Sequence, residues 1–355
     1  MKRNKILTLI LGVAILFGII SSGLVIAQGI QNTKNFSERT SSAKRENYPH
    51  TWELKKTKLE KFSEISIDLS YNNLSILPGD DYYLEYRMDG TCTEPEYNVT
   101  DGRFHFQEGQ TQAKFRNGFH LFFNPGYMFS DHEPYYVNLY IPKEAYFDLL
   151  TIDNDSGNVE ICDIQAAKTD IQIDYGNLTL KDFTGKTLSI TADSGNIETG
   201  NITCDNLTIS DEYGNISGGN FQISDQTTIK LDSGNLKLSQ LNTDLLTLSN
   251  EYGDCSIDKT TVNDSDIALD SGNLTLQHTK FGTTDIKNAY GNITLTLGND
   301  SISDYNYDLN AEYGTVKLDG EKLKEDEDFE VHYQKDNGQK NEIRITCESG
   351  NINIR

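Results

Sequence analysis

Seven carboxylates recur at one fixed place in successive copies of a short signature: Asp155, Asp174, Asp193, Glu212, Asp232, Glu251 and Asp270. Each stands two residues before a glycine in an acid-(Ser/Tyr)-Gly-Asn motif; Ala289 interrupts the series, and Glu312 and Glu348 resume it. If the copies stack like hydrogen-bonded strands, the carboxylates form a column with a spacing of about 4.8 Å. Neighbouring charges at that distance repel by about 1 kcal/mol in water and by several times that at a half-buried surface. Hard cations such as Ca²⁺ take carboxylate oxygens, which makes a cation ladder one reading of the column. The other is that Asp serves each turn by bonding its own backbone, with the charges splayed into salt water. The glycine-rich nonapeptide of Ca²⁺-binding β-rolls is absent, so the motif demands no cofactor, and Ca²⁺ is the one candidate.

The rest of the signature is structural in type. Its glycines are Gly157, Gly176, Gly195, Gly214, Gly234, Gly253, Gly272, Gly291, Gly314 and Gly350. Asn158, Asn177, Asn196, Asn215, Asn235, Asn273, Asn292 and Asn351 follow them, with Asp254 and Thr315 as departures. Amides stacked in register can hydrogen-bond along the column. Ser and Tyr alternate strictly before the first eight glycines. Tyr175, Tyr213, Tyr252, Tyr290 and Tyr313 then either form an aromatic strip for an extended ligand or pack over the turns and cover backbone.

No catalytic constellation emerges. The six histidines share no phase of the repeat, and there is no nucleophile elbow, phosphate loop or zinc signature. The five cysteines, at 92, 162, 204, 255 and 347, fall at different phases and make no metal spacing or disulfide framework. A β-helical polysaccharide lyase or hydrolase is the rival class. An enzyme, however, needs one coil where an acid–base group converges, and the breaks here are Ala289 and the Asp319–Asn341 insertion.

The spacing of the signature dictates the elements that carry it. Its glycines are separated by 19, 19, 19, 20, 19, 19, 19, 23 and 36 residues, and a fixed period of this size marks a repeat architecture. Two residues after each glycine stands an apolar side chain, from Val159 and Leu178 to Ile352; five before it stands Ile or Leu, from Ile152 to Ile345. Polar residues fall between, the period-two alternation of half-buried strands. Nineteen residues hold two short strands and a turn but no packed helix. The expected fold is therefore all-β, a parallel β-solenoid of about ten 19-residue coils. A 38-residue unit, as two alternating coils or one large coil with two equivalent corners, fits the Ser/Tyr alternation as well.

The N-terminus sets the compartment. Lys2, Arg3 and Lys5 precede an uncharged, largely apolar run from Ile6 to Ala27, long enough to span a bilayer as a helix. The basic flank predicts a cytoplasmic N-terminus and an extracellular remainder. Val25 and Ala27 also offer a cleavage site, and cleavage would release a secreted form. The organisation expected is a membrane anchor or signal peptide over residues 1–27, a polar linker over 28–58 and an aromatic-rich β capping region over 59–150. Solenoid repeats then fill 151–355, with the insertion 319–341 as a loop or hairpin on one face. The segment Phe115–Tyr136 reads as an end cap or a protruding contact loop. A net charge of −23 excludes nucleic acid as partner and favours cationic peptides or cationic envelope components.

These residues resemble a known family. Val137-Asn138-Leu139-Tyr140-Ile141-Pro142, Leu149–Ile152, Asp155-Ser156-Gly157-Asn158-Val159 and the closing Glu348-Ser349-Gly350-Asn351-Ile352 are similar to the candidate-adhesin family of domain of unknown function 4097 (DUF4097). That family includes LiaG-like membrane proteins of Gram-positive envelope-stress operons. The resemblance spans roughly residues 60 to 355 and implies a tethered surface β-solenoid for binding, adhesion or stress sensing. It supplies no functional residues.

Overall fold

A computed structural model describes residues 51–110, 135–323 and 330–355. The chain divides into two units, Met1–Tyr48 and Pro49–Arg355, and every described residue belongs to the second. The apolar run 6–27 and the aromatics from Phe115 to Phe129 lie outside the described residues. Among those described, no helix is long and apolar enough to cross a membrane.

The described chain is all-β. Strand Leu178–Ser194 pairs in parallel with Ile197–Tyr213, and that strand pairs in turn with Ile216–Ser233. The register is one period: Leu178 faces Ile197, Ile190 faces Ile209 and Ser194 faces Tyr213. The coil is thus 19 residues long, and Tyr rungs alternate with Ser rungs. The single 20-residue step is absorbed by register shifts at Cys204/Asn206 and Gln222/Gln226.

Ile152, Ile171, Ile190, Ile209, Ile229, Ile267 and Ile286 stack in one fully buried column, and the residues two after each glycine form a second. Complete burial of such a side chain stabilises by about 1.5–3 kcal/mol. Where the pattern breaks, the core compensates. Thr199 is buried and donates its hydroxyl to the Ser217 carbonyl at 3.5 Å, while the Phe221 ring and Leu238 fill the space beside Gly218.

Both ends depart from sequence order. Strands Glu64–Leu69 and Asn73–Gly79 form a complete coil stacked on Tyr146–Ser156 and Val159–Ile161. On its other side lie Arg103–Gln107 and Tyr136–Pro142. Parallel stacking therefore begins at Glu64 rather than at residue 151, and strand Thr51–Lys58 occupies the end of the expected linker. At the C-terminus, Glu342–Ser349 and Ile352–Ile354 lie between the coil of Gly291 and that of Gly314. The last coil of the sequence is thus the penultimate rung of the stack.

Antiparallel strands close each end. Tyr83–Asp89 covers Tyr136–Pro142 and is itself paired with Thr51–Lys58, while Glu96–Thr100 covers Arg103–Gln107. Val331–Lys335 covers Asn306–Tyr313, so this part of the 319–341 insertion caps the stack rather than decorating a side. Each terminal parallel strand is thereby paired, and the edges are left to the short covering strands Thr51–Lys58, Glu96–Thr100 and Val331–Lys335. The aromatic richness near the N-terminus has the same origin. Phe62 stacks on Phe104 and Phe147 at 5.2 and 6.0 Å, with Tyr82 edge-on, where cap meets coil.

At the turns, coils approach too closely for a side chain. Gly195 sits at φ +134°, and a Cβ there would lie 1.8 Å from the Gly176 carbonyl oxygen. Gly195→Ala should cost at least about 2–3 kcal/mol through this clash and the positive φ. The urea midpoint of the variant checks it; a midpoint unchanged from wild type contradicts the close stacking.

Candidate functional site

The glycine turns align along one edge of the stack. Immediately after them runs a continuous amide ladder: each Asn accepts, through its side-chain oxygen, the backbone N–H and side-chain N–H of the Asn in the next coil. Asn177 donates both bonds to Asn158 at 3.0 Å, Asn215 to Asn196 at 3.1 and 3.0 Å, and Asn292 to Asn273 at 3.0 Å. Asp254 accepts both bonds from Asn273 but can give only its backbone N–H to Asn235. At the outer ends Asn73 accepts from Asn158, and Thr315 donates to Asn351. The Asn positions are thus occupied in stacking.

Immediately before the glycines, the tyrosines project. Tyr175, Tyr213, Tyr252, Tyr290 and Tyr313 are 58–66% exposed, so their rings stand clear of the turns instead of covering them. A sixth, Tyr71 at 69%, belongs to the same row. It lies in Ser70-Tyr71-Asn72-Asn73, where Asn72 takes the glycine place, Ile67 stands five before and Leu74 two after. The substitution of Asn for Gly hides this copy from a search on glycine. The apolar positions around Asn72 are the signal that reveals it.

Spatial order extends the alternation beyond what the sequence shows. Continuing the Leu69–Asn154 register sets Tyr71 against Ser156. The row then runs Tyr175, Ser194, Tyr213, Ser233, Tyr252, Ser271 and Tyr290. Ser349 follows because the last coil is inserted there, and Tyr313 ends the row. Along the chain, Tyr290 and Tyr313 are consecutive copies; in space a serine separates them.

The carboxylates Asp155, Asp174, Asp193, Glu212, Asp232, Glu251 and Asp270 line the flank beside this row, each exposed or half-buried. One basic partner is close: Lys230 Nζ lies 3.2 Å from Asp232. At the N-terminal end, desolvation and then the carboxylates of Asp68, Asp155 and Asp174 hold Asp153 above the usual range. Among the described residues, no three His, Cys, Asp or Glu side chains converge as metal ligands. Near Ala268 and Ala289 the flank sinks into a hollow of about 550 Å³, bordered by Glu251, Asp270, Glu348 and Lys287.

A further position escaped sequence reasoning, three residues before the glycine, where side chains point inward. Asn154, Asn250 and Asn288 are buried there and donate to turn carbonyls: Asn250 to Gly234 and Gly253 at 3.0 and 3.2 Å, Asn288 to Gly272 at 2.9 Å. Asp211 occupies the same place between Ala192 and Leu231 and is 1% exposed. Neither of its oxygens has a partner in hydrogen-bond geometry. Burial pushes its carboxyl up to about 6, and only the Tyr213 amide pulls the other way. Cys204, Cys255 and Cys347 are buried thiols.

Because the folded state holds the Asp211 proton more tightly than the unfolded chain, its contribution is full near pH 4 and is lost as pH rises through about 6. Asp211→Asn restores the donor found at Asn250 and removes the titration. It should stabilise by about 1–2 kcal/mol at pH 7.5, with the gap closing toward pH 4. Urea unfolding of both proteins across that range measures it, and a gap that stays constant with pH contradicts the assignment.

No curated protein sequence matches. Among solved structures, a candidate adhesin from Parabacteroides distasonis is 11% identical, with 85% of this chain and 96% of that one covered and a TM-score of 0.36. A candidate adhesin from Bacteroides fragilis is 11% identical, covering 86% and 98%, with a TM-score of 0.32. A candidate lipid-binding protein from P. distasonis is 17% identical, covering 71% and 94%, with a TM-score of 0.34. The Toastrack DUF4097 family model matches residues 62–204 and 186–355, beginning where the parallel stacking begins. The chain belongs to the Toastrack DUF4097 family.

Proposed function

We propose that this protein is a non-enzymatic binding module displayed outside the cell, held at the membrane through residues 6–27 and used for adhesion or for sensing the envelope. The observation that carries this reading is the row of six exposed tyrosines spaced by serines along one edge. A rigid row of aromatic side chains beside one sign of charge is a recognition surface for something long, not a pocket for a small substrate. The acidic flank directs that surface toward cationic partners, peptides or envelope polymers, and repels polyanions. The apolar run after Lys2, Arg3 and Lys5 supports the topology, with the stack on the outer side.

Serine already occupies the tyrosine place in alternate rungs, so Tyr→Ser is compatible with the turn. Protease treatment of intact cells should remove the stack, and the purified full-length protein, its apolar segment held in detergent, should sediment with membrane-free cell-envelope material. Combining Tyr175→Ser, Tyr213→Ser and Tyr252→Ser should reduce that retention at least about tenfold at an unchanged urea midpoint. Protection of the stack from protease, or retention indifferent to the three changes, contradicts the reading.

A further inference from the structure

Resting on this surface-binding reading, we propose that the tyrosine row cradles a β-1,4-linked amino-sugar chain lying along the stack, with the 2-ammonium group of every second ring toward the acidic column. Two periods on the protein match two periods of such a chain. Tyrosines recur every second rung, about 10 Å, which is about the length of two β-1,4-linked pyranose rings. Successive rings of that ribbon are flipped, so the same apolar sugar face returns once per disaccharide. The alternation with serine is what makes the rings available. Aromatic pairs form at about 4.5–7 Å, so a tyrosine on every rung would stack on its neighbours, whereas rings two rungs apart keep both faces free.

The acidic column supplies the shorter period. One edge of a flipped ribbon presents, about every 5 Å, alternately the 2-substituent of one ring and the 6-hydroxyl of the next. The column offers about one carboxylate per 4.8 Å rung to meet them. Over the five central rungs its composition alternates too: Asp193, Asp232 and Asp270 flank Ser194, Ser233 and Ser271, whereas the longer Glu212 and Glu251 flank Tyr213 and Tyr252; outside them Asp174 beside Tyr175 and Glu348 beside Ser349 break the pattern. The repeating unit of the surface is therefore two rungs, as the repeating unit of the chain is two rings. The hollow beside Ala268 and Ala289 gives room on this flank for a ring substituent, with Glu251, Asp270 and Glu348 as well as Lys230 and Lys287 at its border.

A cationic polyproline-type peptide, which returns every three residues at about 9 Å, matches the tyrosine spacing. It does not match the single-rung spacing of the carboxylates. Acidic polysaccharides match the rings but meet the column with like charge.

Calorimetry on the full-length protein in detergent tests the assignment, with four probes: the β-1,4 glucosamine hexamer, its fully N-acetylated form, maltohexaose and a lysine-rich proline peptide. The glucosamine hexamer should bind tightest, and the acetylated form about tenfold more weakly. Maltohexaose, whose α-linkage curves the chain off the row, should not bind. Combined Tyr175→Ser, Tyr213→Ser and Tyr252→Ser should weaken the glucosamine hexamer at least about tenfold at an unchanged urea midpoint. Asp193→Asn, Glu212→Gln and Asp232→Asn together should erase the preference for the free amine and leave the acetylated hexamer unaffected. Equal binding of maltohexaose, tighter binding of the peptide, or indifference to the tyrosine changes overturns the sugar assignment. Envelope retention that depends on the tyrosines while no β-1,4 hexamer binds leaves the surface module standing and removes the sugar.

Discussion

The structure depends on how closely successive turns approach. Each glycine carbonyl fills the space where the next glycine would carry a Cβ, at 1.8 Å between Gly176 and Gly195 and 1.9 Å between Gly253 and Gly272. That approach holds the rungs in strict register. Strict register lets each Asn amide reach its neighbour at about 3 Å. It also fixes where the residue before the glycine must point. The exposed row is thus a consequence of the turn, because a side chain that can go neither inward nor onto the next coil has only solvent left.

The swapped ends serve the same regularity. Placing the last coil between those of Gly291 and Gly314 puts Ser349 between two tyrosines that the chain makes consecutive. The early coil around Asn72 adds Tyr71 at the other end in the correct phase. Both that early coil and the C-terminal coil are also held from two sides. The outermost positions go to antiparallel strands, which leave no parallel edge open.

Much of this is legible in the sequence. The period, the inward Ile and Leu columns, the amide ladder and the acidic column follow from local spacing, because each coil repeats the same physical problem. Order in space was not legible, since no local pattern distinguishes a coil that stacks on its predecessor from one that slips between two others. The coil at Glu64–Gly79 was missed because Asn72 stands where glycine was sought. The inward Asn position was missed for a different reason. Asn154, Asn250 and Asn288 share it with Ile173, Leu231 and Leu269, so it shows no single chemistry until the turn carbonyls they serve are seen.

Two charged features of one turn then stand in contrast. The outward carboxylates are tolerated because water and salt screen them, and their cost in repulsion is the cost of a strong local potential. Asp211, one residue before Glu212, faces the core, where no such screening reaches. A single step along the strand thus converts a surface charge into a buried acid pushed up to about 6. The alternation that builds the strand is therefore also what separates recognition from stability. Outward positions are free to carry like charges and bare aromatic rings for a long partner. Inward ones must be apolar or, as at Asn250 and Asn288, must donate to the turn that holds the row in place.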